Sequence, residues 1–190
     1  MSIADLSPAE RHRAVASGFT EHVVAVTEWD APTPVDEWTA RDVVAHLVEW
    51  FPGFLAGGGV ELSVGEHDTG DPAARWRAHT AAVQALLDGP RADDTFGHPM
   101  VGEHRLADAI DRFYTADVFM HTWDLAAAVG RDADLDPEFA EQLHDGMVDV
   151  EELLRSSGQY GPAVPVADTA DPVTRLVAFI GRDPSWRQAP

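Results

Sequence analysis

An all-α bundle is the fold this sequence predicts, and three observations predict it. Apolar residues recur at three- and four-residue intervals through each long segment, Pro, Gly and capping residues bracket those segments, and no stretch of any length alternates with a β period. At 190 residues the chain can bury one substantial core but falls short of two typical domains, so residues 1–190 are expected to form a single domain.

Ser7-Pro8-Ala9-Glu10 starts the first helix, with Ser at the N-cap, Pro at the first helical position and Glu three residues after the cap. Val15, Phe19, Val23 and Val26 follow at helical spacing, and the helix is expected to end near Trp29, before Ala31-Pro32-Thr33-Pro34. Thr39 caps the second helix, and Asp42 suits the positive end of its dipole. Its core face is Val43, Val44, Leu47, Phe51, Phe54 and Leu55, with His46 and Trp50 along one edge; Pro52 threatens a kink and Gly57-Gly58-Gly59 a stop. Asp71-Pro72 opens a third helix whose stripe is Ala73, Trp76, Thr80, Val83 and Leu87, ended by Gly89-Pro90.

Thr95 to Glu103 reads as a loop or short hairpin. A fourth helix then runs from Ala107 to Val129 with Gly130 as its C-terminal cap. A fifth begins at Asp136-Pro137-Glu138 and carries Phe139, Leu143, Met147, Val150 and Leu154 on one side. After an irregular Pro-rich stretch from Gly158 to Asp168, a last short helix spans Asp171 to Ile180 and stops at Gly181. Both Gly-Arg-Asp endings are explained by shared capping chemistry rather than by an internal repeat.

Composition narrows the function. The formal net charge is -20 and all 13 basic residues are Arg, a composition typical of a GC-rich genome. A field of that sign repels phosphate backbones and anionic membranes, so neither nucleic acid nor membrane is an expected partner. There is no Cys, which removes disulfides, zinc-thiolate sites and an enzyme-borne thiol nucleophile. No run reaches the roughly 18 apolar residues of a membrane span, and Met1 to Glu10 lacks a basic region followed by an apolar one, so the expected location is cytoplasmic.

The fourth helix carries the chemistry. Drawn at about 100° per residue, its apolar stripe collects Ile110, Phe113, Tyr114, Met120, Leu125 and Ala128, and Asp117, His121 and Asp124 fall inside it. Ionisable groups on a core-facing stripe cost several kcal/mol unless paired, hydrogen-bonded or bound to a metal. Asp117 and His121, four apart, converge on one point. With one imidazole from another helix they would make three N/O ligands and leave a position open, as catalytic zinc sites do. His46 is the best third ligand, on the core side of the other densely aromatic helix, with His22 of the first helix in reserve. The alternative is that Asp117 and His121 simply hydrogen-bond each other inside the bundle.

Among the remaining candidates, Trp50 and Trp123 read as packing residues, and His12 and His79 as satisfied helix-edge residues. His67, His98 and His104 lie in or beside loops, with nothing to select one of them. Neither a Gly-x-Ser-x-Gly nucleophile motif nor a phosphate-cradling Gly loop between strand and helix occurs.

Three ordered blocks carry a resemblance across nearly the whole chain: Trp38-Thr39-Ala40-Arg41-Asp42-Val43-Val44-Ala45-His46-Leu47-Val48, then Asp117-Val118-Phe119-Met120-His121-Thr122-Trp123-Asp124-Leu125-Ala126, then Phe179-Ile180-Gly181-Arg182-Asp183-Pro184. Together they resemble the DinB-like superfamily, and within it the actinobacterial branch related to mycothiol-dependent maleylpyruvate isomerase. The resemblance implies a four-helix bundle with additional C-terminal helices, and a divalent metal, zinc or nickel, near one end. By motif the metal ligands would be His46, Asp117 and His121. The family's pair on the later helix is commonly His and His or Glu and His. Asp117 is one methylene shorter than Glu, so it ligates directly or through a water.

Asp124, one turn beyond His121, is either the acceptor that orients that imidazole or the partner of a nearby Arg. The resulting expectation is a metal-dependent transferase or isomerase that uses a low-molecular-weight thiol such as mycothiol on a small electrophilic substrate. A metal- or small-ligand-binding protein without turnover, and a metal-dependent hydrolase, are the alternatives. A homodimer is among the assemblies the sequence leaves open.

Overall fold

The capping signals set the frame of the computed structural model, which describes residues 2–156 and 160–187. Helix α1 spans Pro8–Ala25, and Ser7 and Glu10 close a reciprocal capping box at its start. It ends four residues before the expected Trp29, because the chain beyond it is used to hold the next helix. Trp29 and Ala31 offer their carbonyls to the backbone N–H groups of Arg41 and Ala40, and Pro32 pairs with Thr39, so these residues cannot continue a helix.

Helix α2 spans Ala40–Gly57, capped by the Thr39 and Asp42 box, and passes through Pro52 without ending. Helix α3 spans Pro72–Asp88 with Asp71 as its N-cap. A hairpin follows, β1 Thr95–His98 paired antiparallel with β2 Gly102–Arg105. Its Phe96 ring lies against Gly58 and its His98 ring against Gly57, where any side chain would collide with them.

Helix α4 is three pieces in line: Leu106–Ala109, a π-helical turn Ile110–Thr115, and Ala116–Ala128. The uniform helix expected from the sequence is corrected here. A π turn inserts an extra residue into the ladder and shifts the phase of everything around it. Thr115 is fully buried as a result while Phe113 is only half-buried. Asp111 of this turn is held by an ion pair from Arg11 of α1.

Helices α1 and α2 each pack against both α3 and α4, so the four form a bundle with α1 and α2 at opposite corners. Phe19, Leu47, Phe51, Leu55, Trp76, Val83, Ile110, Tyr114 and Leu125 are completely buried between them. Helix α5 spans Pro137–Val148, α6 Glu151–Ser156 and α7 Pro172–Phe179, so the expected fifth helix is broken at residues 149–150. Helix α5 lies against α7, and its N-cap Asp136 accepts hydrogen bonds from Ser2 and Ile3. The two Gly-Arg-Asp endings do share one cap: Gly130 and Gly181 both have positive φ, and the N–H groups of Arg131 and Arg182 reach back to Ala126 and Val177. The fold is thus all-α apart from one short hairpin, and among the described residues no helix is long and apolar enough to cross a membrane.

His12 and His79 are not helix-edge residues. They are 0% and 2% exposed, beside the buried Tyr114 ring, whose centroid is 6.1 Å from that of His12 and 5.5 Å from that of His79. His12 Nδ1 meets Gln84 Oε1 at 2.9 Å, while the Nε2 atoms of both imidazoles and the Tyr114 hydroxyl have no protein partner. Burial lowers both imidazole pKa values, that of His79 to about 4, with His12, Arg75 and His67 adding to the effect.

An acid-sensitivity follows. The unfolded chain takes up a proton at His79 near 6.5 while the folded chain resists until about 4, so stability is level above that window and falls as pH drops through it. The full loss from His79 is roughly 3 kcal/mol. Urea midpoints measured from pH 6.5 to 5.5, where carboxylates stay ionised, are expected to fall steadily. His79→Gln should flatten that slope, and an unchanged slope would show that the imidazole is not neutral in the fold.

Candidate metal centre

Helical spacing puts His46 and Trp50 on one ridge of α2, and Asp117, His121 and Asp124 on one ridge of α4. Because α2 packs directly on α4, the two ridges meet. Asp117 Oδ2 lies 3.1 Å from His46 Nε2, and Asp117 Oδ1 lies 3.6 Å from His121 Nε2. One donor atom from each of the three residues lies within 4.8 Å of the other two. Donors bound tetrahedrally at 2.0–2.1 Å stand about 3.4 Å apart, and the 3.1 Å and 3.6 Å separations, which end on different oxygens of Asp117, lie close to that spacing. The short Asp117 side chain presents one carboxylate oxygen to each imidazole.

The side chains grade from open to closed, His46 being 32% exposed, Asp117 19% and His121 7%, so the cluster can be approached from the His46 side. Burial pushes the Asp117 carboxyl up. The His121 imidazole and the hydrogen bonds from His46 and Trp50 outweigh that and hold it below the usual carboxylate range. It is an anion at neutral pH, as a ligand must be.

Trp50, expected to be a packing residue, donates its indole N–H to Asp117 Oδ2 at 3.0 Å and so fixes the carboxylate. Its position four residues after His46 was the available signal. Trp38 stacks on His121 with centroids 5.7 Å apart and planes 16° from parallel, and also lies 5.1 Å from the His46 ring.

Behind His121, both sequence alternatives for Asp124 hold at once. The fully buried Asp124 Oδ2 pairs with His121 Nδ1 at 2.8 Å, and Arg182 forks onto the same carboxylate at 3.0 and 3.2 Å. Burial again pushes the carboxyl up, and His121 together with the guanidinium holds it down as an anion. An anionic partner at Nδ1 favours a proton on that nitrogen and so orients the ring with Nε2 toward Asp117. Arg182 belongs to the third sequence block, but no spacing rule reveals a contact across 58 residues.

The other histidines stay apart from this cluster. The reserve ligand His22 lies beside residues 131–134 after α4, where it meets the Ala133 backbone. His67 meets the Gly65 carbonyl, His98 stacks on Phe54, and His104 stands against Phe113 and the Val101 carbonyl. Trp123 is half-buried.

The family model described as the mycothiol maleylpyruvate isomerase N-terminal domain matches residues 12–126. Two uncharacterised proteins of Mycobacterium tuberculosis, from strains CDC 1551 / Oshkosh and ATCC 25618 / H37Rv, are each 30% identical over 189 residues, covering 93% of this chain and 98% of the relative. No solved structure matches the chain. The match includes α2 and the part of α4 that carries His46, Asp117, His121 and Asp124, and both relatives run nearly the full length. The chain belongs to the mycothiol maleylpyruvate isomerase N-terminal domain family, within the DinB-like superfamily.

Proposed function

We propose that His46, Asp117 and His121 hold one divalent ion, zinc or nickel, and that the protein serves as a transferase or isomerase in which a mycothiol-type thiol is activated toward a small electrophile. The observation that carries this reading is the convergence of two imidazoles and one anionic carboxylate at ligand spacing, open on one side. When bound, the ion would lower the pKa of a coordinated thiol and so supply the nucleophilic thiolate at neutral pH. The chain's own groups do the rest: Trp50 holds the Asp117 carboxylate, Asp124 and Arg182 hold the His121 ring, and Trp38 stacks on His121 and packs at a tilt against His46. The absence of Cys is consistent with a thiol supplied from solution.

The test is a titration of mycothiol, and of 2-mercaptoethanol as a plain thiol, into cobalt-loaded protein while following sulfur-to-metal charge-transfer absorption. Mycothiol is expected to produce the band at lower concentration than the plain thiol. Metal-loaded protein that takes up neither would remove the thiol reading and leave a metal-dependent hydrolase or a non-catalytic binder.

A further inference from the structure

The two imidazoles of the centre are steadied in different ways. His121 has the Asp124 carboxylate on its Nδ1, a hydrogen bond that aims the ring but leaves it free to turn about the bond axis. A metal-binding imidazole ordinarily has such a partner on its second nitrogen. Among the described residues no second carboxylate stands behind His46, the more exposed of the two rings. What lies against His46 are aromatic rings, Trp38 with centroids 5.1 Å apart and Trp50 with centroids 6.2 Å apart. Trp38 also stacks on His121, and the two imidazole centroids are 4.9 Å apart. One indole therefore touches both candidate ligand rings and limits how either can turn.

The backbone fixes where that indole stands. Trp38 N–H donates to Val35 O at 3.0 Å and closes a four-residue turn, while the Trp38 carbonyl accepts from the Thr33 N–H and the Thr33 hydroxyl, each at 3.0 Å. Thr33 is itself buried, and Pro32 pairs with Thr39 beside it. Third in the turn is Glu37, whose φ is +64°, a left-handed position usually filled by Gly or Asn. Its side chain is exposed. A non-glycine residue kept left-handed by the hydrogen bonds around it is local strain, and such strain gathers where a functional group has to be held. The start of α2 is capped by Thr39 and Asp42; what the strained turn adds is the placement of Trp38.

We propose that Trp38 is a positioning residue of the His46, Asp117 and His121 centre: its indole, presented by the left-handed turn at Glu37, holds the two imidazoles in the mutual orientation that binds one divalent ion. This rests on the metal reading above, and it gives Trp38 toward His46 the role that Asp124 has toward His121.

The test measures zinc affinity, by competition with a chromophoric chelator, and the melting temperature of the metal-free protein. Trp38→Leu is expected to lose roughly 10–100-fold in zinc affinity, the scale of a residue that orients a ligand. Trp38→Phe keeps an aromatic face and should recover most of that affinity, although both variants leave part of the indole volume unfilled and lower the metal-free melting temperature. Glu37→Pro, whose ring holds φ at about −65°, should lose zinc affinity as Trp38→Leu does with the indole still in the chain. Glu37→Gly, which accepts a positive φ without strain, should bind zinc as the wild type does. Wild-type affinity in Trp38→Leu or in Glu37→Pro would overturn the proposal and leave the metal centre standing. Equal losses in Trp38→Phe and Trp38→Leu would do the same, by showing that the indole only fills space. A wild-type protein that takes up no zinc would overturn the metal centre and the proposal together.

Discussion

Protein purified without chelator or metal-binding tag is expected to carry close to one equivalent of zinc or nickel per chain by elemental analysis, and His46→Ala or His121→Ala to carry little or none. The two imidazoles come from different helices, so the ion would tie α2 to α4, and binding confined to the folded state adds to stability. With free metal at a thousand times the dissociation constant the gain is about 4 kcal/mol. For a chain of this size that corresponds to a rise in melting temperature of roughly 8–16 °C. Either alanine variant should lose the rise, with affinity falling beyond the ~10–100-fold expected for a residue that only orients a ligand. His22→Ala should keep both metal and rise, because His22 lies beside residues 131–134 and away from the cluster. A wild-type protein that holds no near-stoichiometric metal, and that zinc and nickel neither bind nor stabilise, would show Asp117 with its two imidazoles to be a purely structural hydrogen-bonded group.

Arg182→Met is expected to give the second large effect, on stability and metal affinity together. Asp124 is 0% exposed, and its carboxylate is balanced by His121 and by the forked guanidinium. Removing one partner of a buried pair typically costs about 3–5 kcal/mol, because the remaining charge is stranded. The melting temperature should therefore fall by roughly 6–20 °C. His121 would also lose the rigid acceptor that holds its Nε2 toward Asp117, with an expected ~10–100-fold loss of metal affinity. Combining Arg182→Met with Asp124→Asn should return part of the stability, since the stranded charge is gone, but little of the affinity. Denaturation curves and competition titrations on the wild type, the two single variants and the double variant form the cycle. Additive losses in stability would show that the two side chains do not act as a pair.

Local chemistry explains which parts of the molecule were legible in advance. Capping boxes at Ser7 with Glu10 and Thr39 with Asp42 need only three residues of context, so the starts of α1 and α2 could be read directly. The same holds for the Pro starts of α3, α5 and α7 and for the glycine caps at Gly130 and Gly181. Asp117 and His121 could be paired because a helix brings residues four apart to one face, and the block around His46 pointed to the third partner. The end of α1 could not be read this way, because backbone groups of the next helix claim the Trp29 and Ala31 carbonyls.

The sequence by itself determined the all-α architecture, the helix starts and the identity of the three converging side chains, because each depends on spacing within about one helical turn or on a motif. Tertiary structure decided what those side chains touch. It alone put the Trp50 indole on Asp117, Arg182 on Asp124 and the Gly161 backbone on Gly181, and it alone buried His12 and His79 around Tyr114. The physical reason is that these contacts join residues on different helices, whose relative rotation is set by packing and, in α4, by one π-helical turn that no uniform 100° period contains.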